Sequence, residues 1–216
     1  MNDRSPVPDL MPDLVPDLIG DSGRGNEAAI LRAALRLYAE RGFNGASMRD
    51  IARAAGTSLS NLYNYFPSKA RLLAELLNRA NALLSAQVSS AVHTAGEGVA
   101  EQLGAAVRAY VSFVADYQTA MLIALSEVRH LEGEERTQVV AERDRNQEIF
   151  EDLVAAGAAS GVFTTPYPQD AARSILAMCS TIATWYHPEG RLTKQDLCDQ
   201  HARYALALLE GRVDGR

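Results

Sequence analysis

The sequence predicts an all-α protein, on three observations. Apolar residues recur at helical spacing along most of the chain, and no stretch alternates with period two over strand length. Glycine and proline punctuate those runs at Gly42, Gly56, Pro67, Gly96, Gly98, Gly161, Pro166, Pro168, Pro188 and Gly190. Residues 47–69 read as two short helices joined by a glycine-containing turn, the helix-turn-helix pattern.

The elements follow in order. Residues 1–23 repeat Pro-Asp-Leu at 8–10, 12–14 and 16–18. Proline every fourth residue removes helical hydrogen bonds, so an extended or disordered acidic arm is expected there. It is either an inert extension or an arm that tunes binding, and its charge would weaken contact with DNA. The first helix spans 26–42, with Asn26 as its cap, Ile30, Ala33, Ala34, Leu37 and Tyr38 as its buried stripe and Gly42 as its stop. Ser47 caps the second, which buries Ile51, Ala52 and Ala55, and Gly56 supplies the left-handed residue after it. Thr57 and Ser58 are ready caps for the third, where Leu62 and Phe66 turn inward and Pro67 ends the run. These three helices close a small core. Ser68 caps a long helix reaching about Thr94, along which Leu72, Leu73, Leu76, Leu77, Ala80, Leu83, Leu84 and Val88 recur. Amphipathic segments follow at Val99–Tyr117, Thr119–Leu131 and Glu134–Ser160, and helices at Gln169–Tyr186 and Thr193–Glu210 finish the chain. The last two are so apolar that they form either core or a subunit interface.

The net charge of −6 argues at first against a nucleic-acid partner, but the charge is unevenly spread. Residues 24–79 carry nine basic and four acidic side chains, a net of +5, whereas the arm carries −4 and the remainder −7. A basic block in an acidic chain is the electrostatic footprint of a DNA-binding end. No apolar run is long enough for a transmembrane span, and the acidic N-terminus has no secretory h-region, so a cytoplasmic protein is expected. Cys179 and Cys198 have no partners at metal-ligand spacing and read as reduced thiols, with a redox sensor as the alternative. There is no nucleophile–base pair, phosphate loop or metal cluster, and His93, His130, His187 and His201 are scattered. The reading is therefore not an enzyme, with no cofactor and no metal.

The outward residues of the third helix, Ser60, Asn61, Tyr63 and Asn64, are small or planar hydrogen-bonders of the kind that read a DNA groove. Leu59, at the start of that helix, is placed to touch a thymine methyl. Of Tyr63 and Tyr65, one ring is expected to pack and one hydroxyl to reach phosphate. Ser47, Thr57 and Ser58 are caps first, at positions where a phosphate also meets a helix start. Arg49 is either solvated or a phosphate or base contact. Lys69 lies in the first turn of the long helix, unfavourable for a cation beside the helix dipole, and a phosphate partner would explain it.

The block Ile30–Leu73 resembles the DNA-binding domain of TetR-type transcriptional repressors. Ile30-Leu31-Arg32-Ala33-Ala34-Leu35-Arg36-Leu37-Tyr38-Ala39-Glu40-Arg41-Gly42-Phe43 looks like that family's first helix, Ser47–Ala54 like its second, and Ser58–Phe66 like its recognition helix, with the run Leu62-Tyr63-Asn64-Tyr65-Phe66-Pro67-Ser68-Lys69. The resemblance implies a double-stranded DNA operator as partner, phosphate contacts from Tyr65 and Lys69, a homodimer paired through the last two helices, and a small-molecule effector bound within 99–190. It divides the chain into an arm (1–23), a helix-turn-helix domain (24–70) and a ligand-binding and dimerisation domain (71–216). Tyr110, Phe113, Met121, Phe150, Met178 and Trp185 suit an apolar pocket or plain core. Arg129, Arg143 and Asn146 suit an anionic ligand, or an internal network with Glu127, Asp144 and Glu148. The run Thr184-Trp185-Tyr186-His187-Pro188-Glu189-Gly190-Arg191-Leu192-Thr193, followed by Tyr204 and Gly211, resembles the subset of the family that controls fatty-acid or steroid catabolism, several of which respond to acyl-CoA thioesters. The implied function is a ligand-responsive repressor on a palindromic operator. The alternative is a DNA-binding regulator answering to a drug-like or aromatic ligand or to a protein partner.

Overall fold

The computed structural model describes residues 18–19 and 25–210, so the arm lies outside the described residues except for Leu18 and Ile19. The helices are α1 (Asn26–Gly45), α2 (Met48–Ala54), α3 (Leu59–Tyr65), α4 (Lys69–Thr94), α5 (Val99–Asp116), α6 (Gln118–Glu127), α7 (Gly133–Ala159), α8 (Pro168–Ser180) and α9 (Lys194–Leu208). No strand occurs among the described residues, and the all-α expectation holds. No described helix is long and apolar enough to cross a membrane.

Two predicted helices end early, each continued by a single 3-10 turn: Val128–His130 after α6 and Thr181–Thr184 after α8. The cap of α1 is Gly25 rather than Asn26, which is the first helical residue, and no side chain bonds the helix start. Gly42 interrupts α1 as expected, with φ 69° and ψ 171°, a conformation L side chains rarely adopt, but a short turn continues to Gly45. The interruption leaves the Phe43 N–H without a helical acceptor, and it donates instead to Glu127 Oε2 at 2.9 Å in a buried bond.

Contacts divide the chain into two units, residues 1–80 with 119–140, and residues 81–118 with 141–216. In the first, α1 packs on α2 and α3, and α2 on α3. Ile30, Leu31, Ala34, Ile51, Leu62, Leu72 and Leu73 are wholly buried there. Each such leucine or isoleucine side chain contributes about 1.5–3 kcal/mol by leaving water, so this small helical core is set mainly by their spacing. Leu18 and Ile19 are buried too, and Arg79 donates to the Ile19 carbonyl at 2.7 Å while pairing with Glu27 and Glu75. At that dipeptide the chain is packed, not the disordered arm the prolines suggest.

In the second unit α5 packs extensively along α9 and also against α8, with Leu103, Val107, Val111, Phe113, Val114, Phe150, Ile175, Ile182 and Leu197 at the centre. Gln118 ties this unit by donating to the carbonyls of Ala183 and Tyr186, both at 2.8 Å. The apolar residues of α8 and α9 are mostly internal: Ala171, Ala172, Ile175, Ala202, Ala205 and Leu209 are buried within the chain. Tyr167, Trp185, Tyr204 and Leu208 remain exposed. His201 is buried, and because a carbonyl only accepts, its Nδ1 carries the proton donated to Leu197 O at 2.8 Å.

Candidate nucleic-acid interface

The three short elements around Gly56 are held locally. Ser47 Oγ accepts the Asp50 N–H at 3.1 Å and donates to the Asp50 carboxylate at 2.5 Å, and that bond holds the Asp50 carboxyl below its usual range, with Arg53 and Arg41 adding to the effect. Gly56, with φ 68°, makes the left-handed turn, and its N–H donates to the Arg53 carbonyl at 3.2 Å. Ser58, not Thr57, caps α3, accepting the Asn61 N–H at 3.0 Å. Thr57 Oγ1 accepts from the Asn61 side-chain amide at 2.8 Å, which fixes the plane of that carboxamide.

Helix α3 is sharply two-sided. Leu62 is wholly buried, and Phe66 next to the helix is nearly so. Opposite them Ser60, Asn64, Tyr63 and Tyr65 face solvent. Tyr63 and Tyr65 are 46% and 44% exposed, and the Tyr65 ring tilts against the buried Phe66 at 6.4 Å between centroids. Among the described residues no side-chain hydrogen bond holds Ser60 or Asn64, and Arg49 has no ion pair. An open groove of about 640 Å³ joins Ser47, Arg49, Leu59, Tyr63 and Lys69 with Met48, Pro67 and Ser68. The sequence marks Pro67 as a helix stop and Ser68 as a cap, but it marks none of these three as a DNA contact.

Lys69 has partners inside the protein. Its ammonium donates to the carbonyls of Phe43 at 2.8 Å and Ala46 at 3.0 Å and lies 4.3 Å from the centre of the Phe43 ring. Those carbonyls are among the orphaned acceptors at the end of α1, where a cation is favoured. The unfavourable position at the start of α4 is thus offset by a favourable one at the end of α1, without a phosphate. Desolvation lowers the Lys69 pKa, and Tyr38 donates to the Lys69 carbonyl at 3.3 Å.

The residues assigned to a ligand are divided between the two units. Met121, buried, and Arg129, exposed, belong to the first. In the second, the Tyr110 hydroxyl is 2.7 Å from Ser180 Oγ, and the ring meets Phe150 edge-on at 5.8 Å. Burial pushes the Tyr110 phenol up to about 12. Phe113 is buried against Tyr117. Asn146 is buried, donating to the Asn81 and Glu142 carbonyls at 3.2 and 3.4 Å, while its Oδ1 has no hydrogen-bond partner among the described residues. Arg143 pairs with Asp144 in solvent, part of the internal network considered above. Met178 is half-buried, and Trp185 is exposed and stacks on His201 at 6.2 Å. Cys179 and Cys198 are free buried thiols, and burial pushes Cys179 up to about 12, a thiol unsuited to redox sensing.

Two family models match the chain. Residues 30–76 match the bacterial regulatory proteins of the tetR family, and residues 96–209 match the tetracyclin repressor-like C-terminal domain. The protein called HTH-type transcriptional repressor KstR2, from Rhodococcus jostii, is 29% identical over 189 residues, covering 87% of this chain and 91% of that one. The crystal structure of AibR in complex with isovaleryl coenzyme A and operator DNA superposes with a TM-score of 0.76 at 28% identity, covering 87% of this chain and all of that one. The TetR family regulator PfmR from Thermus thermophilus superposes with a TM-score of 0.74 at 27% identity, covering 87% of this chain and 99% of that one. The families matched are regulators, not enzymes.

Proposed function

The chain belongs to the TetR family of bacterial regulatory proteins, and from that premise we propose that it is a repressor of the cytoplasm that binds a palindromic operator as a homodimer and is released by a small anionic effector. The observation that carries the DNA reading is the two-sidedness of α3: Leu62 and Phe66 anchor one face, and Ser60, Tyr63, Asn64 and Tyr65 stand in solvent on the other. Ser60 and Asn64 read base edges, and Leu59 meets a thymine methyl. Asn61 offers its carboxamide oxygen, since its amide is bonded to Thr57. Ser47, Arg49, Thr57, Ser58, Tyr63 and Tyr65 position the phosphates. Lys69 keeps a third N–H for a phosphate while two hold α1.

The exposed Tyr167, Trp185, Tyr204 and Leu208 on and around α8 and α9 support dimerisation through this face. A two-fold dimer sets its recognition helices roughly 34–36 Å apart, or a multiple of that, to match half-sites. The effector reading rests on AibR, solved with isovaleryl coenzyme A and operator DNA, and on KstR2 of Mycobacterium tuberculosis, described as a ketosteroid transcriptional regulator. Tyr110, Phe113, Phe150 and Met178 supply apolar surface, and the unpartnered Asn146 oxygen is a handle for a ligand donor. An acyl-CoA thioester fits that chemistry. Release follows from differential affinity, the effector favouring the state whose recognition helices miss the half-site spacing.

Selection of duplexes from a random library, followed by footprinting, is expected to recover a two-fold symmetric site. A thermal-shift panel of acyl-CoAs, steroids and drug-like cations then tests the effector. Stabilisation by acyl-CoAs with loss of operator binding is the expected result. Stabilisation only by a protein partner, or only by cations, sinks the effector reading and leaves the DNA reading standing.

A further inference from the structure

Glu127 sits in the region matched by the C-terminal family model, yet its carboxylate holds a backbone amide in the region matched by the N-terminal one. Among the described residues it is one of the few charged side chains that are buried, with 9% of its surface exposed. A buried carboxylate is costly unless its oxygens are bonded. Both are: Oε2 accepts the Phe43 N–H at 2.9 Å and lies 3.5 Å from His130 Nε2, and Oε1 accepts the Ser126 hydroxyl at 2.9 Å. The imidazole of His130 stacks on the Phe43 ring at 5.4 Å with an interplanar angle of 12°. Phe43 is therefore gripped at every polar atom and on its ring. Glu127 takes its N–H, Lys69 its carbonyl, and the ring lies against both His130 and the Lys69 ammonium.

The same Lys69 ammonium holds Ala46, the residue before the Ser47 cap of α2, and Lys69 and Ser47 both line the groove of the candidate interface. We propose that Glu127 is a positioning residue for DNA binding, fixing Phe43 and, through Lys69, the start of α4 and the approach to α2. All of these residues lie in the first unit, so α6 is a working part of the DNA-binding body. This rests on the reading that the α3 face binds DNA.

The test uses the full chain and three variants. Glu127→Ala removes the acceptor, Glu127→Asp keeps the charge but withdraws it by about 1.5 Å, one carbon–carbon bond, and Glu127→Gln keeps an acceptor at full reach. Hydrogen exchange at the Phe43 amide and binding to a library-selected duplex are read together. Losing the bond weakens binding of the selected duplex about 10-fold or more in the Ala and Asp variants. The Gln variant recovers most of it and retains Phe43 protection. Binding to a random duplex weakens as well, because the groove residues set out of place, Ser47 and Lys69, are among those assigned to phosphates. If the Ala variant does not fold, the Asp–Gln comparison decides alone. The proposal is overturned if Asp binds like wild type and Gln does not, since charge rather than reach is then what matters. It is also overturned if binding survives while Phe43 protection is lost. A wild-type chain that selects no duplex is a different outcome, and removes the DNA reading itself.

Discussion

Replacing Lys69 by methionine separates the two roles this residue can play. Methionine keeps an unbranched stem against Phe43 but loses the bonds to the Phe43 and Ala46 carbonyls and the charge over the ring. Hydrogen bonds to a charged group contribute about 1.5–3 kcal/mol each, and the two here share one half-buried ammonium, so a combined loss of about 2–3 kcal/mol is expected. For a chain of this size each kcal/mol shifts the melting temperature by about 2–4 °C, so Lys69→Met should melt about 4–12 °C lower. Circular dichroism measures that directly. A salt titration of binding to a random duplex supplies the other half, because a lone phosphate contact lowers the slope of log affinity against log salt by about 0.9 when lost. A variant that melts within about 1 °C of wild type while its slope falls by about 0.9 refutes the carbonyl-capping argument, because a loss of that size cannot hide in so small a shift.

Asn64→Ala should reduce discrimination between the selected duplex and single-base variants by about 1–3 kcal/mol at one position, with random-duplex affinity unchanged; competition binding reads it, and a uniform loss across sequences assigns Asn64 to the backbone instead. Thr193→Ala removes the capping box at the start of α9, where Thr193 accepts the Asp196 N–H at 3.1 Å, and should cost about 0.5–2 kcal/mol in urea titration. Burial pushes Cys179 and Tyr110 up to about 12 from ordinary values of 9.0 and 10.0. Between pH 9 and 12 the unfolded chain ionises these groups and the folded chain does not, so stability should fall as pH rises through that window; a melting temperature level across it contradicts the assignment. Tyr204→Arg on the exposed face of α9 should shift the sedimenting species toward monomer without lowering helix content, whereas an unchanged dimer moves the interface elsewhere.

The helices and the helix-turn-helix were legible because they rest on local rules. A serine before an apolar run, a glycine where the chain turns left-handed and a proline where it must stop act over a few residues. Ser47, Gly56 and Ser58 do what their spacing says. The faces of α3 were legible for the same reason, since burying Leu62 forces Ser60 and Asn64 outward. The family too was carried by one contiguous stretch.

What local spacing does not contain is the partner of an atom many residues away. Nothing near Lys69 announces that its ammonium meets carbonyls 23 and 26 residues earlier. Nothing near Glu127 announces an amide 84 residues back, although the break at Gly42 meant that the Phe43 N–H needed an acceptor from somewhere. The apolar residues of the last two helices show the same limit: period alone puts Ala202 and Tyr204 in one run, and packing decides that the first is core and the second is surface. By itself the sequence determined the helices, the turn between α2 and α3 and which residues of α3 face outward, because capping, turn geometry and amphipathic period are properties of neighbours along the chain. Only the tertiary structure decided what Lys69 and Glu127 hold, because a buried charge takes its role from whichever backbone group the fold brings within about 3 Å of it.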